Sequence, residues 1–498
     1  MDWSELPQHI LHHILNFVPT KEAARTSILS KTWKSTWDSR SKVDLDLNIF
    51  EPYEENFPEF ARKTLERYVE QGLGVESLKL SWTALMNNND HQILDSMKQW
   101  IDFVFAAGNN LKRLMIISGS PYMLNLRASN TLVTLSLYDC KLENNNISEN
   151  IKFPSLKNLN LRFTSLTSDI IHKIFLRGSP FLKSFYLISC DGLESLVVSG
   201  LVWITHIFVE YCQSLRRVDI QAPNLQCFSF FNRSRFLQKH DKCEINLGNC
   251  DASLKELTLG TFELPSDDKC WLQSMVSRFV SLESLHLCNL YNANKEAIKI
   301  SNPSLRRLVI RNCTSFEDTT VINAPNLRSV EFLLNGYPFY SLPKSNKLSL
   351  VQFSSDLNNQ PVNAIWFRKL KELFAETSHM EDTRMSIRCN KKDEFYEKLR
   401  IGWSKRPRYL PDAEPYDLKN IKIESVNLEQ DIDIREDIDA ALLQAYRALS
   451  FKFTRLIDLP YYNKRCSGEI AAEEHRKILE AKEHRKIFKS TIGAKRHR

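Results

Sequence analysis

The phrase QSLRRVDI, Gln213–Ile220, returns almost unchanged as PSLRRLVIRNC at Pro303–Cys313. A chain that spells one apolar rhythm twice, with leucines in the same places and arginines in the same gaps, is built from a repeating supersecondary unit. Aligned on their leucines, further copies stand out. They are LKRLMI at Leu111, LVTLSLYDC at Leu132, LKNLNLRF at Leu156, LKSFYLISC at Leu182 and ITHIFVEYC at Ile204, then LQCFSFF at Leu225, LKELTLG at Leu254, LESLHLC at Leu282, LRRLVIRNC at Leu305 and LRSVEFL at Leu327. VESLKLSW at Val75 opens the series, and a weaker copy begins at Leu348.

Successive copies start about 21 to 29 residues apart, which is the period of leucine-rich repeats. In an extended LxxLxL segment alternate side chains share a face, so the last two apolar positions point into the solenoid and the residues beside them point out. One such strand cannot hold itself together; stacked strands bury their leucines as a continuous core. Pro154, Pro180, Pro223, Pro303 and Pro325 each lie two residues before a leading apolar residue, where a residue without an N–H starts a strand without weakening the ladder. The alternation turns Leu308 inward and Val309 outward. Second apolar runs such as GLESLVV at Gly192 fall between main copies and are expected on the convex side. Leu215 lies between the copies at Ile204 and Leu225, so the two SLRR phrases belong to opposite sides of the solenoid. Cys140, Cys190, Cys212 and Cys313 share a slot three residues after the last inward position and read as buried thiols of the repeat turn.

The chain has 498 residues, 43% hydrophobic and 26% charged, with only 13 glycines, which describes an ordered protein long enough for several domains or one array. The excess of 67 Lys plus Arg over 60 Asp plus Glu is mild and does not call for nucleic acid as a partner. No stretch is long and apolar enough to span a bilayer, and the amino terminus has neither the basic region nor the apolar core of a secretory signal. The 11 cysteines contain no CxxC pair, so neither a metal nor another cofactor is expected, and a cytoplasmic or nuclear protein with free thiols is. The GxxxxGK, HExxH and GxSxG patterns of catalytic sites do not occur, so no enzymatic activity is expected.

Ahead of the repeats, Leu6–Trp37 follows another rule: LPQHILHHILNFVPTKEAARTSILSKTWKSTW. Leu6, Ile10, Ile14 and Leu15 are spaced for one helical face, Pro19 interrupts it, and Ala23, Ala24, Ile28 and Leu29 begin a second pattern. So short a helical unit leaves apolar surface uncovered, which marks a partner site. The segment resembles a plant-type F-box, matching its usual form at Leu6, Pro7, Ile10, Leu11, Ile14, Leu15, Pro19, Thr20, Lys21, Ala23, Thr26, Ser27, Leu29, Ser30, Lys31, Trp33 and Trp37. It departs at Val18, Thr32 and Thr36.

With the repeats behind it, the segment has the layout of the F-box/LRR family. That resemblance implies an α/β chain: a helical F-box, a curved leucine-rich-repeat solenoid with a parallel sheet, and a helical C-terminal tail. The expected boundaries are 1–45 for the F-box, 46–74 for a connecting segment, 75–360 for the solenoid, 361–435 for an irregular cap and 436–498 for a basic helical tail. In that family the F-box binds a Skp-type adaptor and through it a cullin, while the repeats hold a protein substrate for ubiquitination. The resemblance assigns the adaptor contact to Leu6, Pro7, Ile10, Ile14, Leu15 and Leu29. Trp33 and Trp37 are read as core, and His9, His12 and His13 as solvated. The alternation offers Tyr138, Arg162, Tyr186, His206, Phe208, Phe231, Arg307 and Arg311 as the outward, substrate-facing set. In it the Tyr186 and Phe208 rings lie side by side, Phe231 extends them, and the two arginines suit an acidic or phosphorylated segment. A non-degradative scaffold and a small-molecule-dependent coreceptor are the alternative readings.

Overall fold

A computed structural model describes residues 6–18, 20–47, 57–70, 74–82, 100–101, 110–124, 126–142, 151–232, 243–261, 263–265, 270–291, 298–313, 321–334, 345, 347–356 and 382–388. The chain divides into two compact units, the first being Met1–Gln352 with His379–Asp382 and the second Phe353–Ser378 with Thr383–Arg498. Of the second unit, 353–356 and 383–388 are described, both as strand. The expected cap and basic helical tail otherwise lie outside the described residues.

The first unit opens with helices α1 (Gln8–Phe17), α2 (Thr20–Arg25) and α3 (Lys31–Asp38), followed after strand β1 (Lys42–Asp46) by α4 (Phe57–Glu70). The repeats supply β2 (Ser77–Trp82), β3 (Arg113–Met123), β4 (Thr134–Lys141), β5 (Asn158–Arg162), β6 (Ser184–Ile188), β7 (Ser195–Ser199), β8 (His206–Glu210), β9 (Arg217–Gln221), β10 (Cys227–Phe231), β11 (Glu244–Gly248), β12 (Glu256–Gly260), β13 (Ser284–Cys288), β14 (Lys299–Ser301), β15 (Arg307–Arg311), β16 (Val321–Asn323) and β17 (Ser329–Leu334). The main sheet of this unit is parallel and runs β1-β2-β3-β4-β5-β6-β8-β10-β12-β13-β15-β17; β7-β9-β11 and β14-β16 form two smaller parallel sheets. The two SLRR phrases therefore part as the alternation requires: the first leads into β9 of a small sheet, the second into β15 of the main one.

Register explains the core. Leu135, Leu159, Phe185, Ile207, Phe228, Leu257, Leu285, Leu308 and Val330 stand opposite one another from β4 to β17. A second inward row follows through Leu137, Leu161, Leu187, Val209, Phe230, Leu259, Leu287, Ile310 and Phe332, and all of these side chains are buried. Each repeat thus has its apolar face covered by the next.

Among the described residues, eight positions at or just beyond strand ends carry a non-glycine residue in the left-handed region: Asp139, Phe163, Ser189, Tyr211, Asn249, Thr261, Asn289 and Asn312, with φ between 50 and 60°. The next residue closes the turn. Cys190 Sγ donates to the carbonyls of Leu161 and Ile188, Cys212 to those of Leu187 and Glu210, and Cys313 to those of Leu287 and Arg311. Thr164 and Cys250 do the same in copies where the sequence pattern did not single them out. Burial raises the Cys140, Cys190 and Cys313 thiols above their ordinary pKa, so they remain protonated donors.

Candidate functional site

In the N-terminal helices, Leu11, Leu15, Ala23 and Trp33 form a closed core, with Leu6, Ile14, Val18 and Trp37 packed against it. The Ser30 side chain caps α3 by accepting from the Trp33 N–H at 3.2 Å. The apolar residues left outside are Ile10, Phe17, Ile28 and Leu29, which are 38, 76, 85 and 65% exposed. Pro7, ahead of α1, is exposed as well. Arg40 is buried with its guanidinium over the Trp37 ring at 4.9 Å, and the Tyr68 hydroxyl of α4 donates to its carbonyl at 2.5 Å.

On the main sheet the outward residues fall into rows. One row holds Ser136, Asn160, Tyr186, Phe208, Ser229, Thr258, His286, Val309 and Glu331; the next holds Tyr138, Arg162, Ile188, Glu210, Phe231, Gly260, Cys288, Arg311 and Leu333. Tyr186 and Phe208 stack with centroids 4.6 Å apart and planes 2° from parallel, and the His206 ring lies beside Phe208 at 6.5 Å. Arg162 sits over the Tyr138 ring at 5.7 Å and donates to Asn160 Oδ1 at 3.1 Å, while the Asn160 amide reaches the Tyr138 oxygen at 3.3 Å. Ser229 Oγ donates to the Glu210 carboxylate at 3.1 Å; burial raises that carboxyl's pKa, against the pull of Ser229 and of the Arg162 charge. Further along, Arg311 donates to Glu331 Oε1 through Nε at 3.0 Å, and Arg307 reaches the same carboxylate at 3.8 Å. His286 faces this group; burial and the two arginine charges lower its pKa to about 4.

A model described as "At1g61320/AtMIF1, LRR domain" matches residues 69–248, and an F-box domain model matches residues 3–44. An F-box precedes a leucine-rich-repeat domain in this chain. A putative F-box/LRR-repeat protein of Arabidopsis thaliana is 24% identical over 402 residues, 77% of this chain and 82% of its own. An F-box/LRR-repeat protein of the same plant is 29% identical over 230 residues, 45% of this chain and 46% of its own. An FBD-associated F-box protein, also from that plant, is 29% identical over 216 residues, 42% of this chain and 44% of its own. The chain thus spans less than half the length of the latter two relatives.

The structure redistributes several residues that the sequence had placed together. Within the F-box, Leu15 is fully buried and has no surface to offer an adaptor, because the helical phase that exposes Ile10 turns Leu15 inward. Leu6 and Ile14 are half-buried against the same core, while Pro7, Ile10 and Leu29 are open. His9 and His13 are exposed, but His12 is half-buried and hydrogen-bonded to Ser39 Oγ at 3.2 Å. In the repeats, Phe231 does not extend the Tyr186–Phe208 pair: Ser229 holds that place, and Phe231 lies one row on, 2% exposed. Its ring covers Gly260 of the neighbouring strand, where a Cβ would come within 2.3 Å of two ring carbons. Tyr138, Arg162 and Phe208 are likewise buried, and Tyr186, His206 and Arg311 half-buried, which leaves Arg307 as the exposed member of the set. Val309 points outward as expected but is only 1% exposed, since it stands between His286 and Glu331 in register and the arginines on either side of it both reach Glu331. Sequence reasoning missed Phe17 and Ile28 on the F-box and Asn160, Glu210, His286 and Glu331 on the sheet. The sheet residues become visible once the outward positions are written in rows.

Proposed function

We propose that the chain is the substrate-receiving subunit of a Skp–cullin–F-box ubiquitin ligase, its F-box docking a Skp-type adaptor and its repeats holding a protein substrate, with the transfer chemistry done by other subunits. The observation that carries this reading is the surplus of apolar surface on the F-box. Its core closes without Ile10, Phe17, Ile28 and Leu29, and side chains of that size stay exposed at a cost unless a partner covers them. The half-buried Tyr186 ring and the Arg307–Arg311–Glu331 group then offer the substrate an aromatic anchor and a charged contact on one sheet. No described helix is long and apolar enough to cross a membrane, and the proposed location is cytoplasmic or nuclear. Co-expression with a plant Skp-type adaptor tests the reading. Ile28→Asp with Leu29→Asp should abolish co-purification while thermal unfolding of the chain stays unchanged, since both side chains are solvent-facing. Adaptor recovered at the wild-type level would refute the F-box assignment.

A further inference from the structure

Immediately before the leading apolar residue of each repeat lies a position whose residue type is nearly constant: Asn110, Thr131, Ser155, Asn224, Ser253, Ser281, Ser304 and Asn326. The structure shows why. The side chain reaches back one repeat to a backbone carbonyl: Ser155 to Asn130 at 2.6 Å, Asn224 to Val202 at 2.9 Å, Ser281 to Ala252 at 2.8 Å, Ser304 to Val280 at 2.5 Å and Asn326 to Pro303 at 2.7 Å. These bonds stitch the turns along one edge of the solenoid.

Two consecutive repeats break the rule in the same way. Phe181 and Trp203 occupy this position, are 49 and 55% exposed, and lie against each other with ring centroids 6.5 Å apart. The stitch is given up there, and nothing apolar in the fold is gained, because the rings face solvent rather than the core. Val202 beside Trp203 is 53% exposed, and Pro180 beside Phe181 is exposed too, so the departure makes one continuous apolar ledge. This ledge lies in the turns that lead into β6 and β8, not in the outward rows of the sheet.

The charges beside the ledge are of one sign. The residues after the leading apolar positions are linked from repeat to repeat by backbone bonds: the Lys183 N–H donates to the Lys157 carbonyl at 2.8 Å and the Thr205 N–H to the Lys183 carbonyl at 2.9 Å. Elsewhere in this row two cations are matched, Lys112 by Glu76 at 2.8 Å and Arg306 by Glu283 at 3.5 Å, while the exposed Arg328 forms no ion pair among the described residues. From Val133 through Lys157, Lys183, Thr205 and Gln226 to Lys255 the row has no acidic residue, and neither Lys157 nor Lys183 forms an ion pair among the described residues.

We propose that the Phe181–Val202–Trp203 ledge docks a segment of a partner protein that presents an aromatic or aliphatic side chain flanked by carboxylates, the apolar group seated on the two rings and the carboxylates on Lys157 and Lys183. Two lysines are too few for a nucleic-acid backbone, whose binding rests on neutralising many phosphates, whereas paired aromatics rimmed by charge are the chemistry of a protein hot spot. The inference stands apart from the adaptor and substrate readings, since it uses neither the F-box nor the sheet face.

The test uses the full chain and fluorescence anisotropy with three labelled probes: a short peptide with a central Trp-Leu pair between Asp and Glu residues, the same peptide with Lys for each acid, and oligo-dT. The acidic peptide alone should bind. Phe181→Ser with Trp203→Asn, which installs the residues neighbouring repeats use, should weaken it about tenfold or more while leaving thermal stability unchanged or raised. Lys157→Glu with Lys183→Glu should weaken it similarly and confer binding of the lysine peptide. Should the aromatic variant fail to fold, the charge-reversal variant decides the question: peptide affinity unchanged by it overturns the inference. Peptide affinity indifferent to both variants, no peptide binding at all, preference for oligo-dT, or loss of self-association in sedimentation as the sole effect of the variants would each overturn it.

Discussion

Between β4 and β10 the outward rows of the main sheet are closed over by rings, and between β13 and β17 by ions. In the first stretch Tyr186 lies flat on Phe208, Arg162 covers Tyr138, and Phe231 roofs Gly260. In the second, Glu331 gathers Arg307 and Arg311 around Val309 while His286 stands uncharged beside them. The backbone register is the same in both, so the contrast lies wholly in side-chain chemistry. A repeat scaffold fixes where outward residues stand and leaves open how they pack. The ion-closed part should be the more sensitive of the two to salt, since the ring-closed part holds one charged contact of this kind, the pull of Arg162 on the buried Glu210 carboxyl.

The hardest way to break the ion-closed part is from beneath. Leu308→Asp places a carboxylate among the inward leucines and should cost more than about 4 kcal/mol in denaturant unfolding, enough to abolish the folded repeats. Val309→Asp, one residue on, should cost clearly less although Val309 is buried, because arginines on both sides offer it a counter-charge; equal losses would show that the two faces are energetically alike. In the ring-closed part, Phe231→Ala should cost about 3 kcal/mol, since nothing else can fill the space above Gly260. A midpoint within error of wild type would mean the ring is dispensable.

The pH response separates the two stretches next. His286 has an ordinary pKa of 6.5, lowered to about 4 in the folded chain. Above 6.5 the imidazole is neutral in both states and adds no pH dependence. As the pH falls from 6.5 toward 4 the unfolded chain takes up the proton first, so stability drops, by up to roughly 3 kcal/mol for this one group. His286→Gln should flatten that window, and an unaltered pH profile would remove the histidine from the explanation. The smallest expected effect is the coupling of Tyr186 to Phe208. A double-mutant cycle to leucine should give about 1 kcal/mol beyond area loss, independent of salt, and a coupling near zero would reduce the stack to simple proximity.

The inward half of this fold was legible because LxxLxL states both the period and the facing of every strand. The outward half was legible in position but not in burial. Phe231 looks exposed until the residue opposite it is known to be glycine, and the arginines look free until Glu331 arrives in the following repeat. Both facts depend on which residues stand side by side in neighbouring strands, and that needs the register as well as the period. Leu15 failed for a smaller reason. On a short helix the apolar stripe is wide, and spacing alone does not say which of Ile14 and Leu15 turns to the core. Phe181 and Trp203 were in plain sight, yet the polar rule they break shows its purpose only when the hydrogen bonds it makes are seen.

Left-handed residues at the ends of several main-sheet strands give the solenoid a direction. The N–H of Phe163 is satisfied by the carbonyl of Ile188, that of Ser189 by Glu210, that of Tyr211 by Phe231, that of Asn289 by Arg311 and that of Asn312 by Leu333, always in the strand that follows. A non-glycine residue in that conformation carries roughly 1–2 kcal/mol of strain, and at these five positions its amide is hydrogen-bonded to the later repeat. Peeling strands from the C-terminal side therefore frees a strained turn wherever such a residue stands, whereas peeling from the N-terminal side removes the turn together with its strand. Pulled from its two ends, the array should come apart like a zipper with a preferred starting end, each released repeat loosening the one before it.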